Sequence, residues 1–294
     1  MQENIPKHPE WSYSAVLYEM NIRQLTPQGT LRAAEEKLES LKEIGIDAIW
    51  LMPIYPIGDE GRKGSLGSYY SIKDYKAVNP EFGEMADLDS FIEKAHSLGM
   101  KVLLDWVANH TARDAKWING KPADWYEREA DGTAKVPWDW TDTAKLNYAN
   151  RDVWRGQIES MRFWVEKHAI DGFRCDMVEM TPVEFWNWAL PKVKKEYPHL
   201  IFIGEIYQPH IYRSFINEGH FDYLYDKVNL YDTLVGIQRH NVSAAQLTHS
   251  WQAVDGIGNR MLNFLENHDE QRFASLEELR LQLAKDRDLC ISMI

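Results

Sequence analysis

The sequence predicts an α/β protein of the (β/α)8 TIM-barrel class. Apolar runs of strand length alternate with stretches whose apolar residues recur at helical spacing. Four of those runs close on charged or polar residues: Asp105-Trp106-Val107-Ala108-Asn109-His110, Gly172-Phe173-Arg174-Cys175-Asp176, Gly204-Glu205 and Glu266-Asn267-His268-Asp269. A barrel needs that pattern, because its reactive side chains come from the C-terminal ends of the strands and the loops that follow. The length, 294 residues, suits one barrel of about 250 residues with extensions.

Ala15 to Asn21 reads as the first strand, and Leu31 to Ile44 as the first helix, closed by Gly45. Ala48 to Ile54 is a buried strand, followed by a Gly-, Tyr- and Pro-rich loop to Gly83 and a helix from Glu84 to Leu98, with Gly99 at its end. Lys101 to Val107 is the third strand. Thr111 to Asn150 carries Gly120, Pro122, Gly132, Pro137 and four tryptophans without a sustained period, so it reads as a compact excursion. Arg151 to His168 is an amphipathic helix leading into a fourth strand that ends near Asp176. Helix Val183 to Glu196, strand Leu200 to Ile206, a short helix from Ile211 to Asn217 and strand Phe221 to Val228 follow, and Met261 to Leu265 is the seventh strand. Leu276 to Asp286 is the seventh helix, which leaves only Leu289 to Ile294 for an eighth strand, short or missing. The expected organisation is a barrel from 1–110 and 151–294 with a short subdomain from 111–150 and no evident C-terminal β domain. If Leu289 to Ile294 do not close the barrel beside strand one, the exposed sheet edges predict a homo-oligomer.

The net charge of −12, with no basic stripe, argues against a nucleic-acid partner. No stretch approaches the roughly 18 apolar residues of a membrane span. Cys175 and Cys290 form no disulfide framework, and the start Met1-Gln2-Glu3-Asn4 lacks the basic and apolar regions of a signal peptide, so the expectation is a cytoplasmic protein. No His-x-x-x-His or cysteine pair suggests zinc, and no phosphate-binding glycine loop is present, so neither metal nor cofactor is expected.

The carboxylates carry the chemistry. Cleaving a glycosidic bond with retention takes one carboxylate as nucleophile and a second as proton donor and then acceptor, about 5 Å apart. Asp176 and Glu205 end consecutive strands, and Asp269 ends the strand read as seventh. Arg174 lies two residues before Asp176, so both point to one face, where the guanidinium keeps the carboxylate ionised. His110 and His268 each follow an asparagine at a strand end and are candidates for donating to sugar hydroxyls, whereas Asp105 reads more as scaffold.

Together these segments resemble those of the α-amylase family of glycoside hydrolases, from Tyr18 to Asp269. The resemblance implies Asp176 as nucleophile, Glu205 as general acid/base and Asp269 as the transition-state stabiliser, with Arg174, His110 and His268 contacting the sugar. The segment Gly67 to Tyr75 is similar to the family's loop after strand two, which implies Tyr70 as a stacking platform. One departure is Glu179-Met180, where family amylases often carry Lys-His on the leaving-group side. Another concerns the calcium ion common in the family, which uses the asparagine matched by Asn109 and an aspartate replaced here, in Ala144-Lys145-Leu146-Asn147, by Lys145. An ammonium cannot ligate calcium, so Lys145 is expected to replace the ion by donating to the Asn109 side chain. The expected activity is hydrolysis of α-glucosidic bonds in α-1,4-glucans or maltooligosaccharides. The same carboxylates serve a transglycosylase or sugar isomerase, and a truncated, inactive sugar-binding relative is the alternative outside catalysis.

Overall fold

The computed structural model describes residues 8–270, which fall into two compact units divided between Tyr225 and Asp226. In the first unit, β1 (Leu17–Met20) leads through the short helices α1 (Ile22–Leu25), α2 (Leu31–Glu35) and α3 (Leu38–Glu43) to β2 (Ala48–Leu51). Next come α4 (Met85–Ser97) and β3 (Lys101–Val107), then the excursion with β4 (His110–Ala112), α5 (Lys116–Gly120) and β5 (Thr143–Lys145). After it run α6 (Arg151–His168), β6 (Gly172–Asp176), α7 (Val183–Glu196), β7 (Ile201–Gly204), α8 (Tyr212–Asn217) and β8 (Tyr223–Tyr225).

Neighbouring strands in the order β1-β2-β3-β6-β7-β8 form a parallel sheet, in register from Leu17 opposite Ala48 to Gly204 opposite Leu224. Helices return the chain between strands, as parallel pairing requires. β2, β3, β6 and β7 are buried along nearly their whole length, which is why they read as continuous apolar runs rather than as alternation, whereas only Met20 of β1 is buried. Two of the three long helices carry side-chain caps: the Asn150 side chain accepts from Asp152 N at 2.8 Å to start α6, and Glu84 N donates to Asp87 Oδ2 at 2.8 Å at the start of α4. Gly204 sits where an added Cβ would come within 2.8 Å of Leu224 Cδ2, so only glycine lets β8 and its flanking residues pack this closely behind the residue that precedes Glu205.

Three aspartates stand one residue before β2, β6 and β8, and each accepts from a main-chain N–H near the start of the neighbouring strand: Asp47 from Val16 N at 3.1 Å, Asp171 from Val102 N at 3.0 Å and Asp222 from Phe202 N at 2.8 Å. Each is also paired with a lysine: Lys42, Lys101 and Lys194 respectively. Asp222 is fully buried and also meets His8 Nδ1 at 3.2 Å. Burial alone would raise the Asp171 carboxyl, but bonds from His96, Lys101 and Val102 N outweigh it and hold it below its usual range. Removing a buried carboxylate strands its cations, whereas an exposed one is screened. Asp222→Ala should therefore cost about 3–5 kcal/mol, and Asp47→Ala, at an exposed pair, about 1 kcal/mol or less. Urea unfolding of the two variants checks this, and equal losses would sink the account.

Several boundaries differ from expectation. The apolar positions Leu31, Ala34, Leu38 and Leu41 are all buried, as a single helix would have them, but Lys37 N bonds Ala34 O, and this tight turn divides Leu31 to Ile44 into α2 and α3. The strand expected from Ala15 to Asn21 is shorter and gives way to α1, with Asn21 as its N-cap. The strand expected from Phe221 to Val228 keeps only Tyr223–Tyr225. In the second unit, the Asp226 side chain accepts from Leu230 N at 3.2 Å and caps a π-helix over Lys227–Tyr231. That unit continues with α9 (Asp232–Arg239), α10 (Gln246–Ala253) and β9 (Met261–Leu262), shorter than the expected Met261 to Leu265. The expected helix from Leu276 and closing strand from Leu289 lie outside the described residues. Among the described residues no helix is long and apolar enough to cross a membrane.

Candidate active site

Register sets the site. Asp105 on β3 lies opposite Arg174 on β6, and Arg174 opposite Ile203 on β7, so these positions share one face of the sheet. Asp176, the last residue of β6, and Glu205, the first beyond β7, lie two residues after Arg174 and Ile203 and extend that face to the strand ends. The Arg174 side chain is fully buried at the centre of this group. Its Nη1 reaches Asp105 Oδ1 and Asp176 Oδ1, each at 3.1 Å, its Nη2 pairs with Glu205 Oε1 at 2.8 Å, and its Nε donates to the Tyr225 hydroxyl at 3.0 Å. Three rings surround the guanidinium, with Cζ 4.8 Å from the Trp50 ring centre, 5.4 Å from Tyr225 and 5.9 Å from Tyr70.

One cation faces three buried carboxyl groups. Burial, and next the charge of Glu205, push the Asp176 carboxyl well above the usual carboxylate range, with Arg174 opposing. Asp176 and Glu205 meet the two ends of the same guanidinium, Nη1 and Nη2, so each carboxyl feels the charge of the other.

Glu205 is held from several sides. Met177 N donates to its Oε2 at 2.9 Å, and the Tyr207 hydroxyl donates to its Oε1 at 2.8 Å. Met177 adopts a left-handed conformation, φ 39° and ψ 55°, which turns the chain sharply after Asp176 and aims this N–H at Glu205. Such backbone costs of order 1–3 kcal/mol and is retained where the surroundings demand it. Glu179 Oε2 in turn accepts from Tyr207 N at 3.2 Å.

The other expected residues fall as follows. Tyr70 is half-buried and its hydroxyl donates to Asp105 Oδ2 at 3.2 Å. His110 is buried, its ring bonds the main chain of Tyr70 and lies 5.2 Å from the Trp140 ring, and burial lowers its pKa to about 4. It is therefore a neutral imidazole near neutral pH, able to donate through one nitrogen only. Asp105, expected as scaffold, is wholly buried and also accepts from Trp50 Nε1 at 3.1 Å, so it is both scaffold and a wall of the site. His268 and Asp269 lie in the second unit, where His268 Nε2 meets Asp269 Oδ2 at 3.2 Å.

Lys145 corrects the expectation. It stands opposite His110 in the antiparallel β4–β5 ladder, and its ammonium goes to Glu127 Oε1 at 2.8 Å rather than to Asn109. The Asn109 amide nitrogen instead lies 3.3 Å from His110 Nδ1. Glu127 also binds Lys135 at 3.2 Å, so the carboxylate nearest Lys145 is already shared by two ammonium groups. This donor set does not fit a calcium ion, and among the described residues no group of three or more His, Cys, Asp or Glu is arranged to hold a metal.

Tyr207, Met177, Tyr225 and Trp50 were not singled out by sequence reading. Tyr207 had a signal: it follows Glu205 by two, the same alternation that linked Arg174 to Asp176.

A parallel βα sheet with paired carboxylates at its strand ends defines a glycosidase-type site. The chain belongs to the family described as Alpha amylase, catalytic domain, which it matches over residues 12–144 and 138–294. It is 33% identical to alpha-amylase MalA of Haloarcula japonica over 189 residues, covering 61% of this chain and 27% of that protein. It is 32% identical to the alpha-1,4-glucan:maltose-1-phosphate maltosyltransferase of Rhodospirillum rubrum over 218 residues, 66% of this chain and 31% of the relative. Among solved structures, an alpha-amylase from Lactobacillus plantarum superposes with a TM-score of 0.81 at 32% identity, covering 88% of this chain and 64% of that one. The chain thus spans about a third of the length of these two curated relatives.

Proposed function

We propose that the chain carries the catalytic site of a retaining glycoside hydrolase that cleaves α-glucosidic bonds in α-1,4-glucans or maltooligosaccharides. The observation that carries the reading is the pairing of Asp176 with Glu205 on consecutive strand ends under one buried guanidinium, Arg174. Asp176 attacks the anomeric carbon while Glu205 gives its proton to the departing glycosidic oxygen, and a glycosyl ester forms on Asp176. Glu205, now a carboxylate, takes a proton from water as that water attacks the same carbon and releases Asp176. Arg174 compensates the charge on whichever carboxylate is ionised. Asp269 is assigned the stabilisation of the developing positive charge, supported by the resemblance of Glu266-Asn267-His268-Asp269; His110 and His268 hold sugar hydroxyls, and Tyr70 stacks on the ring. Closure of the sheet into a full (β/α)8 barrel belongs to the same proposal and is supported by the family match.

Transfer to a second sugar differs only in which hydroxyl meets the glycosyl ester, and the maltosyltransferase relative supports it as a second outcome of the same site. Maltooligosaccharide turnover followed by proton NMR tests both. Two successive inversions require the α anomer first, chain lengthening marks transfer, and an initial β product excludes this mechanism.

A further inference from the structure

We propose that Tyr207 is the positioning residue of the proton donor: its phenol holds Glu205 in reach of the leaving oxygen and stabilises the carboxylate that remains after the proton has gone. The proposal rests on the reading of Glu205 as general acid/base. Glu205 is almost fully buried, and each of its oxygens has a donor: Met177 N on Oε2 at 2.9 Å, and the Tyr207 hydroxyl on Oε1 at 2.8 Å, the oxygen that also meets Arg174. The main-chain N–H and the guanidinium are fixed by the fold. Met177 is set by the turn after β6, and Arg174 is pinned between Asp105, Asp176 and Tyr225. Tyr207 is the half-buried member of the set, at the rim of the site. Its own backbone is tied by Glu179 Oε2 at 3.2 Å, at the position where the family resemblance breaks from Lys-His. Glu179 thereby acts on the leaving-group side by fixing the loop that carries Tyr207.

The chemistry gives the phenol a role distinct from packing. A hydroxyl donating to a carboxylate favours its ionised form, which is the product of the first proton transfer and the base of the second step. Arg174 alone cannot meet that need, because its charge is shared among three carboxyl groups. A neutral donor adds a bond directed at Glu205 without altering the charge balance around Asp176.

The test compares wild type, Tyr207→Phe, Glu205→Gln and the double variant, with maltooligosaccharides and with α-maltosyl fluoride, whose leaving group needs no proton. Tyr207→Phe should move the alkaline limb of kcat/KM upward by roughly one pH unit, since a hydrogen bond to a charged group is lost. It should lower kcat on maltooligosaccharides about tenfold with KM little changed, and formation of the glycosyl ester from the fluoride should be spared. In the Glu205→Gln background the same change should add no further loss. An alkaline limb that stays in place, or a loss from Tyr207→Phe that persists in the Glu205→Gln background, overturns the proposal and leaves the tyrosine a packing residue. Glu205→Gln that keeps the wild-type alkaline limb overturns instead the acid/base reading on which it rests.

Discussion

Asp176→Asn is expected to abolish turnover, by about 10,000-fold or more, while leaving oligosaccharide affinity within a few-fold of wild type. The amide keeps the shape and the Arg174 contact through its oxygen, but it cannot form the glycosyl ester. The loss should therefore appear in kcat, and isothermal titration with maltotriose should still register binding. The variant should also be no less stable. Asp176 is buried beside Glu205 and Asp105, and its carboxyl is pushed well above its usual range, so its ionised form is costly to the fold. Sign and window follow: a folded-state carboxyl raised above its unfolded value contributes stability below the ordinary carboxylate range, and that contribution is lost as pH rises through the folded value. Near neutral pH the amide removes that cost. Activity runs the opposite way, because the nucleophile must be ionised, so kcat/KM of the wild type should fall on the acid side at a pH above that of an ordinary aspartate. Near-wild-type turnover by Asp176→Asn would refute the nucleophile assignment.

Much of this site was legible in the sequence because the strand period is two. Arg174 and Asp176, and Glu205 one strand further on, had to share a face once β6 and β7 were recognised, and the structure joins all three through one guanidinium. Asp105 was read as scaffold, since alternation gives direction and not partners. The reach of its carboxylate to Arg174, Trp50 and Tyr70 emerges only when three strands are in register. Met177 was illegible for another reason. Nothing in a methionine announces a left-handed backbone, and the role of that residue lies in its N–H, not its side chain.

Lys145 shows where motif reasoning overreaches. The absence of an aspartate there was correctly read from the letters, but the partner of the ammonium depended on Glu127, eighteen residues earlier in a segment with no period to place it. The fold boundaries failed in the same local way. The apolar spacing of Leu31, Ala34, Leu38 and Leu41 reports a buried face and is blind to one tightened turn. The β-branched Val228 suggested strand where the Asp226 side chain had already capped a helix.

The second large effect concerns Glu205. Glu205→Gln is expected to slow hydrolysis of maltooligosaccharides by about 100- to 10,000-fold, because an unactivated sugar cannot depart without a proton. The first step on α-maltosyl fluoride should proceed, since fluoride departs unaided. The second step should then stall, because the amide cannot take a proton from water, and the glycosyl ester should accumulate. Equal losses on both substrates would move the acid role away from Glu205.

That stalled state offers the most direct test of the site. The full chain carrying Glu205→Gln, mixed with α-maltosyl fluoride and examined by intact-protein and peptide mass spectrometry, should gain one maltosyl unit, located on the peptide containing Asp176. An adduct on another carboxylate, or no adduct while fluoride is released, would contradict the assignment of Asp176 and Glu205 as nucleophile and acid/base.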